Sequence, residues 1–129
     1  MQEKNLFEYA VIRVVPKVER EEFLNVGVVV YCAQQKLLQA KFQLDEKRLI
    51  GFCGNCDVVE ISEYLQSFEK ICAGGSDSGP IGKLPIAERF RWLTATRSTV
   101  VQTSKVHTGL ADNVHGILDR LYDQLVATE

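Results

Sequence analysis

The chain has 129 residues, 46% of them hydrophobic and 25% charged, and its formal net charge is −2. This composition is that of an ordinary globular domain and excludes a disordered or collagen-like chain, and the length suits one core, so we expect a single domain over residues 1–129. The slight acidity gives no general attraction to nucleic acid or to an anionic membrane, because such binding needs net or clustered positive charge.

Three strands are predicted early in the chain. The stretch from Leu6 to Val15 alternates between two faces and ends at Pro16, which cannot continue a strand ladder. Val26 to Cys32 is a run of β-branched residues, typical of a central strand buried on both faces. Within it, Gly27 indicates a bulge or the close approach of another backbone. A polar turn leads to the alternating stretch from Leu37 to Gln43, which predicts an antiparallel hairpin.

Helices are predicted to follow the hairpin. Asp45 can cap a short helical turn, and Asp57 with Glu60 three residues later begins a longer helix, because the aspartate accepts hydrogen bonds from free first-turn amides. The apolar stripe of that helix consists of Val58, Ile61, Leu65, Phe68 and Cys72. This spacing indicates one face packed on the sheet.

The next segment, residues 74–84, combines glycine, serine and proline as a flexible loop does. Pro85 suits the first turn of a short helix, and Thr99 to Val106 is predicted as a fourth strand. A last helix is expected from about Asp112. Its apolar stripe is Val114, Leu118, Leu121 and Leu125. The order of elements predicts an α+β fold, an antiparallel sheet of three to four strands with helices packed mainly on one face.

The segment from Lys83 to His107 is the most asymmetric in charge. Its only acid is Glu88, and its lysines and arginines are Lys83, Arg89, Arg91, Arg97 and Lys105. Hydroxyl side chains accompany them, as in Thr103-Ser104-Lys105, and this mixture of donors binds phosphate or carboxylate through charge-assisted hydrogen bonds. The alternative is a solvated surface whose arginines pair with the acids of residues 19–22.

Two residues could act as acid or base. His107 ends the predicted fourth strand, and Glu22 precedes the second strand together with Asn25. Side chains of these types can transfer protons in an active site. Each residue also has a structural explanation. His107 can be an ordinary histidine at the end of a strand, and Glu22 can belong to a solvated connection before the second strand.

The chain has four cysteines, and two of them form a C-x-x-C motif at Cys53 and Cys56. A structural zinc site would need a second pair of ligands, and a redox site would need the motif to open a helix after a strand. The third explanation is that these thiols lie around a turn without a shared role. Because no secretory signal and no membrane-spanning apolar run are present, we expect a cytoplasmic protein with reduced thiols. We also expect no metal and no cofactor.

Two groups of motifs in this chain are familiar in combination. They are Tyr9 to Pro16 with Glu22 to Val28, and Arg89 to Leu93 with Ser98, His107 to Gly109 and the helix at Leu118 and Leu121. Together they resemble the bacterial family catalogued as domain of unknown function 3037. The resemblance covers nearly the whole chain, apart from a variable part between Gln43 and Pro85, and it implies no reaction.

The resemblance implies a bacterial protein often encoded beside a HipA-like kinase, which makes that kinase the expected partner. By the same match, the recognisable segments of the family contain Arg13, Glu22, Asn25, Gly27, Arg89, Arg91 and His107. Cys53 and Cys56 fall in the variable part, which disfavours a zinc or redox role for them.

The leading hypothesis is an interaction or regulatory module, a partner of a HipA-like kinase, rather than an enzyme. The residues expected to contact an anion or the partner are Arg13, Asn25, Arg89, Arg91, Arg97 and Lys105, with His107 on the same face. The alternative is an enzyme acting on a phosphate-containing substrate, with Glu22 or His107 as acid or base and the arginines holding phosphate. Binding of single-stranded nucleic acid through Arg91 and Trp92 is disfavoured by the net acidity.

Overall fold

The computed structural model of the protein describes residues 4–16, 22–54, 56–96 and 99–127. Its elements there are, in chain order, β1 (Asn5–Val14), β2 (Leu24–Cys32), β3 (Leu37–Phe42), α1 (Glu46–Cys53), α2 (Val58–Ala73), α3 (Gly79–Gly82), α4 (Ile86–Thr94), β4 (Val101–Thr103), β5 (His107–Ala111) and α5 (Ile117–Leu125). A 3₁₀ turn, Ser76–Ser78, precedes α3. The predicted α+β class is confirmed.

All five strands belong to one antiparallel sheet, in the order β3-β2-β1-β4, with β5 also paired to β1. The predicted hairpin of β2 and β3 is confirmed, and Gly27 to Cys32 pairs there with Leu37 to Phe42. The strands β4 and β5 share one edge of β1, where β4 pairs with Ile12–Val14 and β5 with Asn5–Tyr9. The long strand β1 therefore carries pairing partners along both of its edges.

A β-bulge separates β4 from β5, so the prediction of one continuous strand from Thr99 to Val106 was wrong. Thr103 pairs with Ile12 and His107 pairs with Tyr9, which leaves three residues of the edge strand opposite two of β1. Ser104 bridges the mismatch. Its Oγ accepts a hydrogen bond from the amide of Val11 at 2.9 Å, and its own amide donates to the carbonyl of Val11 at 2.8 Å. The serine side chain thus replaces a missing ladder acceptor.

A second bulge lies beside Gly27. Ile12 pairs with Gly27 but Arg13 pairs with Asn25, so Val26 is the extra residue of β2. On its other edge Gly27 faces β3 so closely that a Cβ atom would lie 2.6 Å from both the carbonyl oxygen of Lys41 and the Cβ of Phe42. Both explanations offered for this glycine, a bulge and a close backbone approach, are confirmed.

Hydrophobic cores cover both faces of the sheet. The helices α1, α2 and α4 pack on one face, where the most buried side chains include Ile12, Leu49, Ile61, Leu65 and Leu93. Ile81 of α3 joins them at the margin. The second core, on the opposite face, is made with α5 by Val28, Val30, Val114, Leu121 and Tyr122. Helices therefore lie mainly on one face, as predicted, with α5 alone on the other among the described helices.

The helix ends follow the predicted caps. Asp45 Oδ1 accepts a hydrogen bond from the amide of Arg48 at 3.2 Å, and Asp57 Oδ1 accepts one from the amide of Glu60 at 3.0 Å. Each bond satisfies a first-turn amide that has no partner within the helix.

No helix in residues 4–16, 22–54, 56–96 and 99–127 combines the length and apolar character that crossing a membrane would need.

Two boundaries differ from the predictions. The segment 74–84 holds the 3₁₀ turn and α3, and Gly82 is buried there, so it contains more regular structure than a simple loop. The last helix begins at Ile117 rather than near Asp112, because residues 107–111 extend the sheet as β5. Its buried stripe consists of Ile117, Leu121 and Tyr122, followed by Val126, and the predicted Leu125 is exposed.

Candidate anion-binding cleft

A polar cleft of about 270 Å³ lies at the sheet edge formed by β4, next to the C-terminal end of α4. The polar side chains along it are Arg13, Thr94, Thr96, Gln102, Thr103, Ser104 and Lys105. Two of these residues are cations, and none of the described lining residues is acidic. The cleft is therefore an electropositive site on a chain whose net charge is −2.

The guanidinium of Arg13 is held by neighbours on β2 and before it. It lies over the ring of Phe23 at 3.8 Å from the centroid, and its Nε donates to Asn25 Oδ1 at 3.3 Å. Asn25 is itself fixed, since its Nδ2 donates to the carbonyl of Leu125 at 3.2 Å. Burial lowers the pKa of Arg13 from its ordinary value, but arginine stays protonated at neutral pH. No carboxylate of the described residues forms a salt bridge with Arg13.

The rest of the cleft offers further donors. Lys105 is exposed and follows Ser104 directly in the bulge, so the hydrogen bonds of Ser104 set the position of its backbone. The hydroxyl of Thr103 is buried without a hydrogen-bond partner among the described residues. In contrast, Thr94 donates to the carbonyl of Phe90 at 2.8 Å. The lining of the cleft therefore includes two cations, Arg13 and Lys105, the residue types that recognise phosphate and carboxylate.

Arg89, a predicted site residue, contacts the end of α2 instead of lining the cleft. Its Nη1 donates to the carbonyls of Ile71 at 2.9 Å and Cys72 at 3.0 Å. These carbonyls lie in the last turn of α2, where no amide of the helix can donate to them. A Cβ atom at Gly74 would lie 2.6 Å from the same nitrogen. The structure thus uses Arg89 to cap α2, a role typical of cations at helix C-termini.

The other predicted residues are dispersed. Arg91 is exposed on α4 outside the cleft lining, and Glu22 is exposed ahead of β2. The ring of His107 packs against that of Tyr9, with 5.3 Å between centroids. Arg97 lies outside the described residues, as do the acids Glu19 and Glu21 that were expected to pair with the arginines. Of the predicted set, Arg13 and Lys105 both line the cleft, and Asn25 contacts Arg13 from outside it.

Several residues of this site were not predicted. Phe23 supports the guanidinium of Arg13, and Thr94, Thr96 and Gln102 line the cleft. Thr94 and Thr96 precede the basic position 97, and this hydroxyl-rich neighbourhood of a cation is a signal in the sequence. Phe23 and Gln102 carried none. Gln102 meets Arg13 through the pairing of β4 with β1, and Phe23 meets it by a side-chain contact that no local pattern specifies.

The cysteines differ from the expectation of four reduced thiols. The structure joins Cys53 and Cys56 in a disulfide with 5.8 Å between their Cα atoms, within the range of natural disulfides. Cys32 and Cys72 are free and buried, and burial raises the pKa of Cys72 to about 12. Across the described ranges no group of three or more histidine, cysteine or acidic side chains could hold a metal ion.

Comparison with known proteins identifies a family over most of the chain. A family described as "Protein of unknown function (DUF3037)" matches residues 9–126. Neither the curated proteins nor the solved structures contain a significant match. The match includes Arg13, Asn25 and Lys105 and leaves only the chain ends outside it.

Proposed function

From the premise that the chain belongs to the DUF3037 family, we propose that it is a cytosolic interaction module that recognises an anionic group of a protein partner in the cleft of Arg13 and Lys105. The proposed partner is a HipA-like kinase, the partner that the family resemblance implies. The module binds and regulates, and the proposal assigns it no reaction.

The observation that carries this proposal is the way Arg13 is prepared for a ligand. Arg13 lines the cleft, Phe23 and Asn25 order its guanidinium, and no described carboxylate forms a salt bridge with it. Ordering an arginine costs side-chain entropy on binding, and a guanidinium that is already ordered avoids much of that loss. A phosphate or carboxylate would therefore gain charge-assisted hydrogen bonds at reduced entropic cost.

The enzyme alternative finds less support in the geometry. It needs Glu22 or His107 to meet the arginines at one place, and neither residue lines the cleft. The hydroxyl of Ser104 is also occupied, because it accepts from Val11 and donates to the carbonyl of Lys105 at 2.9 Å. The polar groups of the cleft are donors suited to holding an anion rather than an acid–base pair.

Removing either cation of the cleft should weaken anion binding. We expect Arg13→Gln and Lys105→Gln each to raise the dissociation constant for inorganic phosphate by about tenfold, since a hydrogen bond to a charged group contributes about 1.5–3 kcal/mol. Titrations followed by amide chemical shifts of residues 101–105 would measure this change. Affinity should also fall with added sodium chloride, because salt screens exposed charges.

The matched control for this titration is Lys83→Gln. Lys83 belongs to the same basic segment and is exposed, but it does not line the cleft, and its replacement changes the net charge equally. We expect its affinity for phosphate to stay within about twofold of that of the native chain. Equal weakening by Lys83→Gln and Lys105→Gln would mean that phosphate responds only to overall charge, and would overturn the cleft as the binding site.

The partner is tested by co-purification. The full chain, expressed with the HipA-like kinase of the same bacterium, should elute with it from a size-exclusion column, and Arg13→Gln should reduce the co-eluting fraction several-fold because a desolvated charge contact at an interface is lost. Lys83→Gln should leave that fraction unchanged. Separate elution of the native chain and the kinase at micromolar concentration would reject the kinase as partner while leaving the phosphate titration to decide on the cleft.

A further inference from the structure

The C-x-x-C motif lies at the junction of two helices. Cys53 is the last residue of α1, Gly54 turns the chain with a φ of 71°, and Cys56 directly precedes Asp57, the N-cap of α2. The left-handed conformation at Gly54 favours glycine, which has no Cβ to clash there. The local backbone thus places the two cysteines close together, with their Cα atoms 5.8 Å apart.

The environment of this pair differs from that of the other two cysteines. Cys53 and Cys56 are partly buried and pack at the margin of the core on the α2 face. Cys32 is 0% and Cys72 7% exposed, and the burial that raises the pKa of Cys72 to about 12 keeps that thiol protonated. Thiol–disulfide exchange requires an accessible sulfur, and among the described cysteines those of the motif are partly exposed whereas Cys32 and Cys72 are buried.

We propose that Cys53 and Cys56 are a thiol–disulfide exchange site, a dithiol that is oxidised reversibly by a low-molecular-weight disulfide such as glutathione disulfide. This site is separate from the anion-binding cleft and does not depend on the function proposed for it. The disulfide present in the structure is the oxidised state of this pair.

The exchange proceeds in two displacements. The thiolate of Cys56 attacks one sulfur of glutathione disulfide, forming a mixed disulfide and releasing one glutathione thiolate. The thiolate of Cys53 then attacks the sulfur of Cys56, closing the intramolecular disulfide and releasing the second glutathione. Two cysteine thiols are oxidised, one glutathione disulfide is reduced, and the two thiol protons pass to the solvent or to the released thiolates.

The order of attack follows from the position of Cys53. Its Sγ lies 3.3 Å from the carbonyl oxygen of Leu49, where the reduced thiol donates a hydrogen bond that holds it against α1. Cys56 precedes the helix N-cap and has no such acceptor among the described residues. Cys56 is therefore the attacking residue and Cys53 the resolving one.

Oxidation would tie the end of α1 to the start of α2. The amide of Gly54 donates to the carbonyl of Ile50 at 2.7 Å, and Leu49 of the same helix is completely buried. A cross-link removes conformations from the opened state of this junction. The oxidised form should therefore open here less often than the reduced form.

The test uses the full chain equilibrated in glutathione buffers of graded ratio, quenched with acid, alkylated and weighed by intact mass spectrometry. We expect two of the four thiols to disappear together as glutathione disulfide increases, with peptide mapping placing the bond between Cys53 and Cys56. Amide exchange at Gly54 should slow by about tenfold on oxidation, while the amide of Gly74 at the far end of α2 stays unchanged. Four alkylated thiols at every glutathione ratio would overturn the proposal.

Two matched variants test the roles of the cysteines. Cys53→Ser should accumulate a glutathione adduct on Cys56, because the resolving thiol is missing. Cys56→Ser should form much less adduct at Cys53. Cys72→Ala, which removes a buried thiol outside the motif, should still form the Cys53–Cys56 bond. Oxidation that instead joins two chains, or that requires Cys72, would contradict an intramolecular site at the motif.

Discussion

Replacing Gly27 with alanine should lower the free energy of unfolding by about 3 kcal/mol or more, because the added methyl group meets backbone atoms that cannot move aside. Its Cβ would lie 2.6 Å from the carbonyl oxygen of Lys41 and 2.6 Å from the Cβ of Phe42. Both atoms belong to the paired strand β3, so relief requires breaking the ladder between β2 and β3. Urea denaturation followed by circular dichroism would measure the change.

The control for this substitution is Gly51→Ala in α1. A Cβ atom there meets nothing within 4 Å, and alanine has the higher helix propensity, so we expect the free energy of unfolding to rise by about 0.5–1 kcal/mol. The two glycines thus predict opposite signs for the same chemical change. A Gly27→Ala protein as stable as the native chain would show that β2 and β3 do not approach as closely as described.

Replacing Ser104 with alanine should lower the free energy of unfolding by about 2 kcal/mol, because a buried amide loses its acceptor. Ser104 is 7% exposed, and its Oγ accepts from the amide of Val11 at 2.9 Å. The same change releases the hydrogen bond to the carbonyl of Lys105, so phosphate affinity should fall as well. Stability and binding would be measured by urea denaturation and by the phosphate titration.

Ser67→Ala, on an exposed position of α2, is the comparison for Ser104→Ala. We expect its free energy of unfolding to change by no more than about 0.5 kcal/mol and its phosphate affinity to stay the same. If Ser104→Ala kept native stability, a water molecule or a closed bulge would be satisfying Val11, and the assignment of Ser104 as the bridge between β4 and β5 would be wrong.

The bulge at Ser104 also explains why the predicted fourth strand differs from the observed β4 and β5. The hydroxyl-rich sequence around Ser104 predicts one strand, whereas in the structure the strand ends at Thr103 and a second one, β5, covers His107–Ala111. A bulge needs only one residue more on one strand than on its partner, as seen opposite Ala10 and Val11. The count depends on the register with β1, which lies about a hundred positions earlier in the chain.

The sequence predicts the candidate site as the basic segment from Lys83 to His107, joined by Arg13 and Asn25 through the family resemblance. Lys105 and the hydroxyls beside it were correctly placed near one another, since they are neighbours in sequence. Arg89 belongs to the same predicted segment, but it caps α2 through the carbonyls of Ile71 and Cys72. Basic side chains of one segment thus have different roles, because α4 places Arg89 at the end of α2 whereas Lys105, after β4, lines the cleft.

The sequence by itself determined the α+β class, the hairpin of β2 and β3, and the aspartate caps of α1 and α2. Each of these rests on residues that are adjacent or at helical or strand spacing, so local physics is sufficient. Only the tertiary structure decided that Arg13 reaches the cleft of Lys105 and that Asn25 is held by Leu125, which is 100 positions away. These contacts arise from strand register and helix packing, and no local pattern encodes which distant residues a folded chain brings together.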